Sequence, residues 1–224
     1  MASRAFVILL LSVMLAACGS GPKWYDNPDT HIVRSGETLY SIAFRYGKKP
    51  EDLARWNRLG NGSLIYPGQT LRLTPPSGST RTTAGAPRPA AKPLPKIPDQ
   101  PSPQWAWPTN GRISVEFGAK PGPGTGVLIN GKSGQPIVAA APGRVVYAGS
   151  GLIGYGQLII LKHNDTYLSA YGYTASLQVK EGQVVKQGQR IATMGEGPER
   201  KARLHFEIRR NGQPVNPRQF LPKR

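Results

Sequence analysis

Cysteine, histidine and acidic residues are all scarce in this chain. Its 224 residues include one cysteine, three histidines and 12 acidic residues, against 29 lysines and arginines. A single cysteine excludes an intramolecular disulfide framework and any zinc site that needs several thiolates. The formal net charge of +17 either serves solubility or indicates an anionic partner, such as nucleic acid, a membrane surface or an acidic polymer.

The hydrophobic run near the N-terminus is too short for a comfortable membrane span. It extends over 13 residues, Ala5 to Ala17, with Ser12 as its one interruption. A spanning helix needs about 18 apolar residues or more. The run follows Arg4 and leads into Cys18, the only cysteine. This arrangement has the shape of the hydrophobic region of a signal peptide.

The small residues that lead into Cys18 resemble the lipobox of bacterial lipoproteins. The resemblance implies a signal peptide over residues 1–17, cleavage before Cys18 and acylation of that cysteine; an ordinary signal peptide with an incidental cysteine is the alternative. Because Gly19 and not aspartate follows, we expect a lipid anchor in the outer membrane, on its periplasmic face. Loss of Arg4 leaves a charge of 17 − 1 = +16. The expected anionic partners of this exported basic protein are cell-wall polymer and lipid headgroups, and not nucleic acid.

Residues 31–74 have the pattern of a compact β-α-α-β unit. Leu39, Ile42 and Ala43 recur at helical spacing, which predicts a first helix with one buried face. A proline followed by two acidic residues, Pro50–Asp52, suits the first turn of a second helix. Short apolar runs at both ends of the unit predict two strands.

The same unit contains V-x-x-G-E-T-L, W-N and P-G-Q-x-L, which look like the motifs of a lysin motif domain. The resemblance implies binding of the N-acetylglucosamine-containing glycan of peptidoglycan or chitin, between the two loops that join strands and helices. Loop backbone groups can hydrogen-bond acetamido groups, and small residues let a sugar approach. A small helical hairpin without a ligand is the alternative. The implied glycan-binding residues are Ser35, Gly36, Glu37, Thr38, Leu39, Gly60, Asn61, Gly62, Ser63, Leu64 and Ile65.

Two polar segments are predicted to be connections without a core. Residues 18–30 form a short tether after the acylated cysteine. Residues 75–104 are rich in proline, serine, threonine and alanine, which predicts a disordered linker. This linker is either a flexible spacer inside a sugar mesh or an inert connection.

Residues 105–224 carry short β-rich runs separated by turns, and no long helical pattern. This predicts an all-β sandwich or open barrel. The chain is therefore expected to be multidomain, with a small β-α-α-β domain, a proline-rich linker and a larger β domain. The predicted strands are Ile113–Phe117, Val127–Ile129, Ile137–Ala139, Arg144–Ala148, Gln157–His163, Thr166–Tyr171, Arg190–Met194 and Leu204–Arg210.

The stretch Lys201–Arg210, KARLHFEIRR, alternates apolar and polar side chains. A period of two predicts a strand with one face in a core and the other looking outward. Arg203 and His205 are two residues apart and point the same way. The histidine could belong to a working metal site, to the remains of one, or to neither.

The order of motifs in residues 105–224 resembles that of the lysostaphin-type zinc endopeptidase domain. The resemblance rests on W-P-x-x-G-x-I, F-G, G-x-P-I-V-A-A-x-x-G-R-V, G-Y-G-x-L-I-I-L-K-H, Y-L-S-A-Y, V-K-x-G-Q-R-I-A and L-H-F-E-I-R. Active members cut peptide cross-links in peptidoglycan. They hold zinc with an H-x-x-x-D motif and the second histidine of H-x-H, while the first histidine of H-x-H and that of Y-x-H assist catalysis.

Most of these functional positions carry other residues in this chain. The H-x-x-x-D positions are Gly124 and Leu128, the Y-x-H histidine is replaced by Tyr173, and H-x-H falls on Arg203 and His205. A catalytic zinc needs three protein ligands and one open position. The fixed cation of Arg203 would also oppose a metal ion. We therefore expect no cofactor, no metal site and no catalytic residue, and a zinc endopeptidase with unusual ligands is the alternative.

Lipobox, lysin motif, linker and altered peptidase domain together resemble the amidase-activator lipoproteins of Gram-negative envelopes. The resemblance implies that the former active-site groove binds a periplasmic N-acetylmuramyl-L-alanine amidase and relieves its autoinhibition during cell separation. A passive tether between membrane and peptidoglycan is the alternative. The residues expected to line the groove are Gly124, Leu128, Tyr173, Arg203 and His205.

Overall fold

The computed structural model describes residues 28–59, 64–76, 99–119 and 124–224. The predicted signal peptide, Cys18, most of the tether, residues 77–98 of the predicted linker and glycan-loop residues Gly60, Asn61, Gly62 and Ser63 lie outside the described residues. Within those ranges, no helix is long and apolar enough to cross a membrane.

The first domain contains two short helices and a two-stranded antiparallel sheet, in the predicted order. Its elements are β1 (Thr30–Ile32), α1 (Leu39–Arg45), α2 (Pro50–Trp56) and β2 (Thr70–Arg72). Thr38 and Ser41 form a reciprocal capping box at the start of α1. The hydroxyl of each accepts the backbone N–H of the other, at 3.0 and 2.9 Å, which satisfies two donors that the helix leaves unpaired. The buried core consists of Val33, Leu39, Ile42, Ala43, Leu53, Leu71 and Leu73.

The second domain is built from antiparallel strands, and its described residues include no α-helix. The strands are β3 (Ile113–Val115), β4 (Val127–Asn130), β5 (Pro136–Val138), β6 (Gly143–Gly149), β7 (Gln157–Lys162), β8 (Tyr167–Leu177), β9 (Val184–Val185), β10 (Arg190–Met194), β11 (Arg203–Arg210) and β12 (Gln213–Val215). Their order in the sheet is β3-β4-β11-β8-β7-β6-β9, with β12 beside β11 and β10 joining β8 to β5. The predicted fold class, a small β-α-α-β domain followed by a β-rich domain, is confirmed.

One strand extends well beyond its predicted bounds, and two short strands have no predicted counterpart. β8 continues to Leu177, whereas the prediction ended at Tyr171. β9 and β12 were not predicted, because two or three residues are too few to show a period of two. The extension of β8 has a consequence for the site, since it places Tyr173 inside a strand.

Helix α1 packs against the sheet of the second domain. Phe44 is 1% exposed and lies in a hydrophobic cluster formed otherwise by the second domain. The guanidinium of Arg209 lies 3.4 Å from the centroid of the Phe44 ring, and one of its nitrogens donates to the Phe44 carbonyl at 2.5 Å. At the edge of the contact, Lys162 donates to Glu51 of α2 at 2.9 Å. The cluster residues of the second domain are Tyr147, Leu152, Leu158, Ile160, Leu168 and Ala170.

The last residues of the predicted linker are attached to the second domain. The carboxylate of Asp99 pairs with Arg210 at 2.7 Å, and the backbone N–H of Gln100 donates to the Thr166 hydroxyl at 2.7 Å. Residues 99–104 therefore belong structurally to the β domain, in contrast to the prediction of a disordered linker as far as 104.

His163, which follows β7, is a structural residue. Its Nδ1 lies 2.8 Å from the carbonyl oxygen of Pro142, and its Nε2 lies 2.8 Å from the Ser169 hydroxyl. The ring also packs edge-on against Trp105, with centroids 4.8 Å apart. Burial lowers the pKa of His163 from 6.5 to about 4, although the hydrogen bond to Pro142 opposes this shift.

Stability is expected to fall with acidification between pH 6.5 and pH 4 because of His163. The unfolded chain takes up a proton on this side chain below about pH 6.5, whereas the folded protein resists protonation down to about pH 4. Thermal unfolding over this range should show a drop in Tm of roughly 5 °C or more. The variant His163→Gln should lose most of this slope, and an unchanged slope would contradict the assignment.

Candidate functional site

Strand β11 is buried on both faces. Seven of its eight residues are buried, from Arg203 to Arg209. The prediction that Arg203 and His205 look outward is wrong, since they are 7% and 1% exposed. One face of the strand packs into the main core, while Tyr155 and Phe44 cover the polar face.

His205 lies in a closed aromatic and glycine-lined environment. The Tyr155 ring stacks on its imidazole, with centroids 5.2 Å apart and planes at 11°, and the Tyr173 ring lies 5.7 Å away at 40°. Gly126, the residue before β4, lies against the imidazole, and a Cβ added to it would lie 2.8 Å from Nε2 of His205. A side chain at position 126 would therefore displace the imidazole.

The imidazole of His205 has no hydrogen-bond partner among the described residues. Its Nε2 lies 3.2 Å from Oε1 of Glu207, which is ion-pair distance, but the orientation does not satisfy the angles of a hydrogen bond. Unpaired buried polar atoms are costly and uncommon in folded proteins.

The predicted site residues are brought together around this histidine. Leu128 on β4 and Gly172 on β8 are its cross-strand neighbours, so Leu128 and Tyr173 flank it on either side. Gly124 precedes β4 and adopts φ +68°, a left-handed conformation that favours glycine. Leu128, Tyr173 and His205 therefore lie together, and all three side chains are buried.

Tyr173 and Arg203 pack on the same glycine. An added Cβ at Gly197 would lie 2.8 Å from the Tyr173 ring and 2.9 Å from Cγ of Arg203. The backbone of Tyr173 has φ +60°, which is strained for a residue with a side chain. Burial raises the pKa of the Tyr173 phenol, against the opposing effect of the Arg203 charge. The nearest carboxylate to Arg203 is the exposed Glu199, at 3.7 Å.

Glu207 is the centre of a polar network that the sequence analysis did not identify. It is fully buried and accepts hydrogen bonds from Thr125, from the Tyr155 hydroxyl at 2.9 Å and from Nε of Arg209 at 2.9 Å. The signal that could have revealed it is the pair of opposite charges at positions 207 and 209, which share one face of a strand.

The network keeps Glu207 ionised. Burial alone would raise the pKa of this carboxyl, but the Arg209 charge, His205 and Thr125 together lower it to about 2. Burial and the neighbouring carboxylate raise the pKa of Tyr155. Tyr155 is therefore a neutral hydrogen-bond donor that connects the first domain, through its ring contact with Phe44, to the surroundings of His205.

The residues around His205 do not fit a zinc site of the lysostaphin type. In the described part of the chain, no three His, Cys, Asp or Glu side chains are placed to hold one ion. Glu207 is paired with Arg209, and Leu128, the cross-strand neighbour of His205, has no side-chain atom that can bind a metal. One histidine and one paired carboxylate do not supply the three ligands that a catalytic zinc requires.

The first predicted glycan-binding loop is partly structural. Ser35 and Gly36 are exposed. Glu37 binds His31 at 2.6 Å and Arg45 at 2.7 Å, which holds the loop against α1. The side chain of Leu39 is 1% exposed within the domain core, so this residue can contact a sugar only through its backbone.

Three further predicted glycan residues, Thr38, Leu64 and Ile65, lie near the second domain. Thr38 donates to the Val146 carbonyl at 3.3 Å, which makes it a domain contact as well as a helix cap. Leu64 is 67% exposed, and Ile65 packs partly against the core of the first domain. Thr38, Leu64 and Ile65 line one groove together with strands of the β domain.

Two protein-family models match the chain. Residues 31–74 match the LysM domain, and residues 122–217 match peptidase family M23. These matches fall on the two domains described above and agree with the lysin motif and lysostaphin-type resemblances.

Curated relatives extend over most of the chain. A "Lipoprotein NlpD/LppB homolog" of Pseudomonas aeruginosa is 42% identical over 87% of this chain and 77% of its own length. The "Murein hydrolase activator NlpD" of Escherichia coli K12 is 36% identical over 92% and 71%. The "Uncharacterized lipoprotein YgeR" of the same organism is 35% identical over 96% and 92%. The chain belongs to the NlpD family of lipoproteins, several of whose members are named murein hydrolase activators.

Proposed function

We propose that this protein binds peptidoglycan and activates a periplasmic N-acetylmuramyl-L-alanine amidase, without hydrolysing peptidoglycan itself. The observation that carries the proposal is a domain that matches peptidase family M23 over residues 122–217, beside a LysM domain, with Gly124 and Leu128 at the positions where the lysostaphin-type resemblance expects zinc ligands. Family membership supports the same function, since relatives are named murein hydrolase activators.

The side chains at the altered site do not support catalysis. Tyr173 replaces the assisting histidine of Y-x-H, and its raised pKa makes it a poor base at neutral pH. Arg203 replaces the first histidine of H-x-H and carries a permanent charge. His205 remains, sealed beneath Tyr155. This set can pack and form protein contacts, but it offers no activated water or nucleophile.

Activation is proposed to occur by a shift of population in the amidase. An autoinhibited enzyme is activated by any partner that binds its open form more tightly than its closed form. Arg203 and Tyr173 are each 7% exposed, against 1% for His205, and form the edge of the altered site that lies nearest to solvent, whereas Tyr155 covers His205. An arginine next to a tyrosine is a composition typical of interface hot spots.

The lipid anchor and the location are part of the proposal. Acylated Cys18 would hold the protein on the periplasmic face of the outer membrane, with the LysM domain directed toward the peptidoglycan. Weak glycan binding by a small domain gains avidity when a second attachment limits diffusion. The described residues begin at 28, so this step rests on the sequence and on relatives named lipoproteins.

The proposal is tested by release of dye from labelled sacculi. The purified protein together with a cognate amidase should release label at least about tenfold faster than the amidase alone, because the open form becomes dominant. The protein by itself should release none.

The two alternatives give different results in the same assay. A passive tether would pellet with sacculi, even after deletion of residues 105–224, and would leave amidase rates unchanged. A zinc endopeptidase would bind zinc stoichiometrically, release label alone and lose that activity in His205→Ala. Either pattern would overturn the proposed function.

A further inference from the structure

A groove of about 800 Å3 lies between the two domains. The first domain contributes Thr38 and Leu64, one from each predicted glycan-binding loop. The second domain contributes the opposite wall, from the ends of β6, β7 and β9 and the turn before β9. The lining residues of that wall include Arg144, Val146, Lys162, Asn164, Glu181 and Val184.

The two walls are held together by direct contacts. Thr38 donates to the Val146 carbonyl at 3.3 Å, and Lys162 lies 3.2 Å from the Tyr40 hydroxyl and 2.9 Å from Glu51. Burial alone would lower the pKa of Lys162, but its contacts with Asp165, Glu51 and Tyr40 raise it, so this side chain remains a cation that anchors the first domain. The groove is therefore a preformed cleft at a domain boundary, where ligand sites commonly occur.

The lining chemistry suits a carbohydrate. Leu64 from the first domain and Val184 from the second are 67% and 62% exposed, and they provide apolar surface for the C–H faces of sugar rings. Backbone groups and polar side chains between them can bind hydroxyl and acetamido groups. If the groove were only a structural contact between the domains, these two aliphatic side chains would be covered by it.

Arg144 adds a site for a carboxylate. Its side chain is exposed, donates to the Gly182 carbonyl at 2.7 Å and forms no salt bridge with any described residue. Lys162, by contrast, is neutralised by Glu51 and Asp165. An oriented, unneutralised guanidinium at the edge of a groove is well suited to bind an anionic group in two-pronged geometry.

We propose that the β domain completes the glycan site of the LysM domain, with N-acetylated sugar against Thr38, Leu64 and Val184 and a stem-peptide carboxylate at Arg144. The ligand class is a glycan strand that still bears carboxylated peptide stems. The proposal rests on the peptidoglycan binding proposed above and adds that the M23-type domain contributes to affinity and selects strands with stems.

Calorimetric titration of the full mature chain tests the proposal with two soluble probes. One is an uncharged N-acetylglucosamine hexamer, and the other is a glycan fragment of peptidoglycan that retains its stem peptides. Val184→Ser should weaken both probes about fivefold, since it removes apolar contact area. Arg144→Ala should weaken the stem-bearing fragment roughly tenfold and the hexamer less than about twofold, because only the former offers a carboxylate.

Arg190→Ala is the matched control, since this exposed arginine lies on β10 and outside the groove. It should bind both probes as the unaltered protein does. If the unaltered protein binds and both groove variants match it, the LysM domain holds the sugar alone and the proposal is wrong. Equal losses for both probes in Arg144→Ala would overturn the carboxylate assignment. Failure of the unaltered protein to bind either probe would overturn peptidoglycan binding itself.

Discussion

Replacing Arg209 with alanine is expected to lower the free energy of unfolding by about 3–5 kcal/mol, since it leaves the buried Glu207 carboxylate without its counterion. The pair is almost free of solvent, with side chains 3% and 0% exposed and Nε 2.9 Å from Oε2. The same guanidinium stacks on Phe44 and binds its carbonyl. Its loss should therefore also loosen the docking of the first domain.

Chemical denaturation of the variant, with Arg210→Ala as control, measures this effect. Arg210 is the next residue, but its side chain is 50% exposed and pairs with a half-exposed Asp99, so its loss should change stability little. The double variant Arg209→Ala/Glu207→Gln should recover part of the loss, because the stranded charge is removed. Equal stability of the Arg209 and Arg210 variants would contradict a structural role for the buried pair.

Charge reversal at Arg203 is expected to abolish most amidase activation. Its guanidinium lies beside Tyr173 at the solvent-side edge of the altered site, where its side chain is 8% exposed, and Arg203→Glu would place a carboxylate next to Glu199. If this edge is an interface hot spot, activation should fall about 30-fold at subsaturating concentration. Sacculus binding should persist, because the LysM domain and its groove lie elsewhere in the molecule.

Two further variants distinguish a lost contact from a misfolded domain. Arg200→Glu introduces the same charge change at an exposed position of the same segment and should activate normally. Arg203→Gln keeps length and hydrogen-bonding capacity without charge, and should lose activation while its Tm stays near that of the unaltered protein. Full activation by a correctly folded Arg203→Glu variant would exclude this edge from the interface.

Local patterns predicted most of the elements. The spacing of Leu39, Ile42 and Ala43 identified the buried side of α1, and Pro50 marked the start of α2. Alternation identified β11, and its pairing with β4 and β8 places His205 beside Leu128 and Gly172. These features depend on neighbours in sequence, which is why one sequence sufficed.

The covering of the polar face of β11 could not be predicted from local pattern. Phe44 packs on this face and contacts Arg209, which lies 165 residues away in the sequence. Tyr155 packs on it as well and contacts Glu207, which lies 52 residues away. A proline-rich linker favoured the idea of two independent domains, whereas α1 docks on the β domain. Alternation alone therefore predicts that Glu207 and Arg209 face solvent, whereas they form a buried ion pair.

The central claim is that this M23-type domain acts by binding and without metal chemistry of its own. The most direct measurement is the initial rate of dye release as a fixed amount of amidase is titrated with the protein. One sample of the protein is first stripped with a chelator and dialysed, and a second is left untreated. Neither sample should release label without the amidase.

We expect two superimposable, saturable activation curves, because Gly124, Leu128, Tyr173 and Arg203 offer no set of zinc ligands that stripping could empty. Activation that disappears on stripping, with amidase metal content unchanged, would contradict it. So would release of label by the untreated protein alone, or an amidase rate that stays flat at every concentration of the protein.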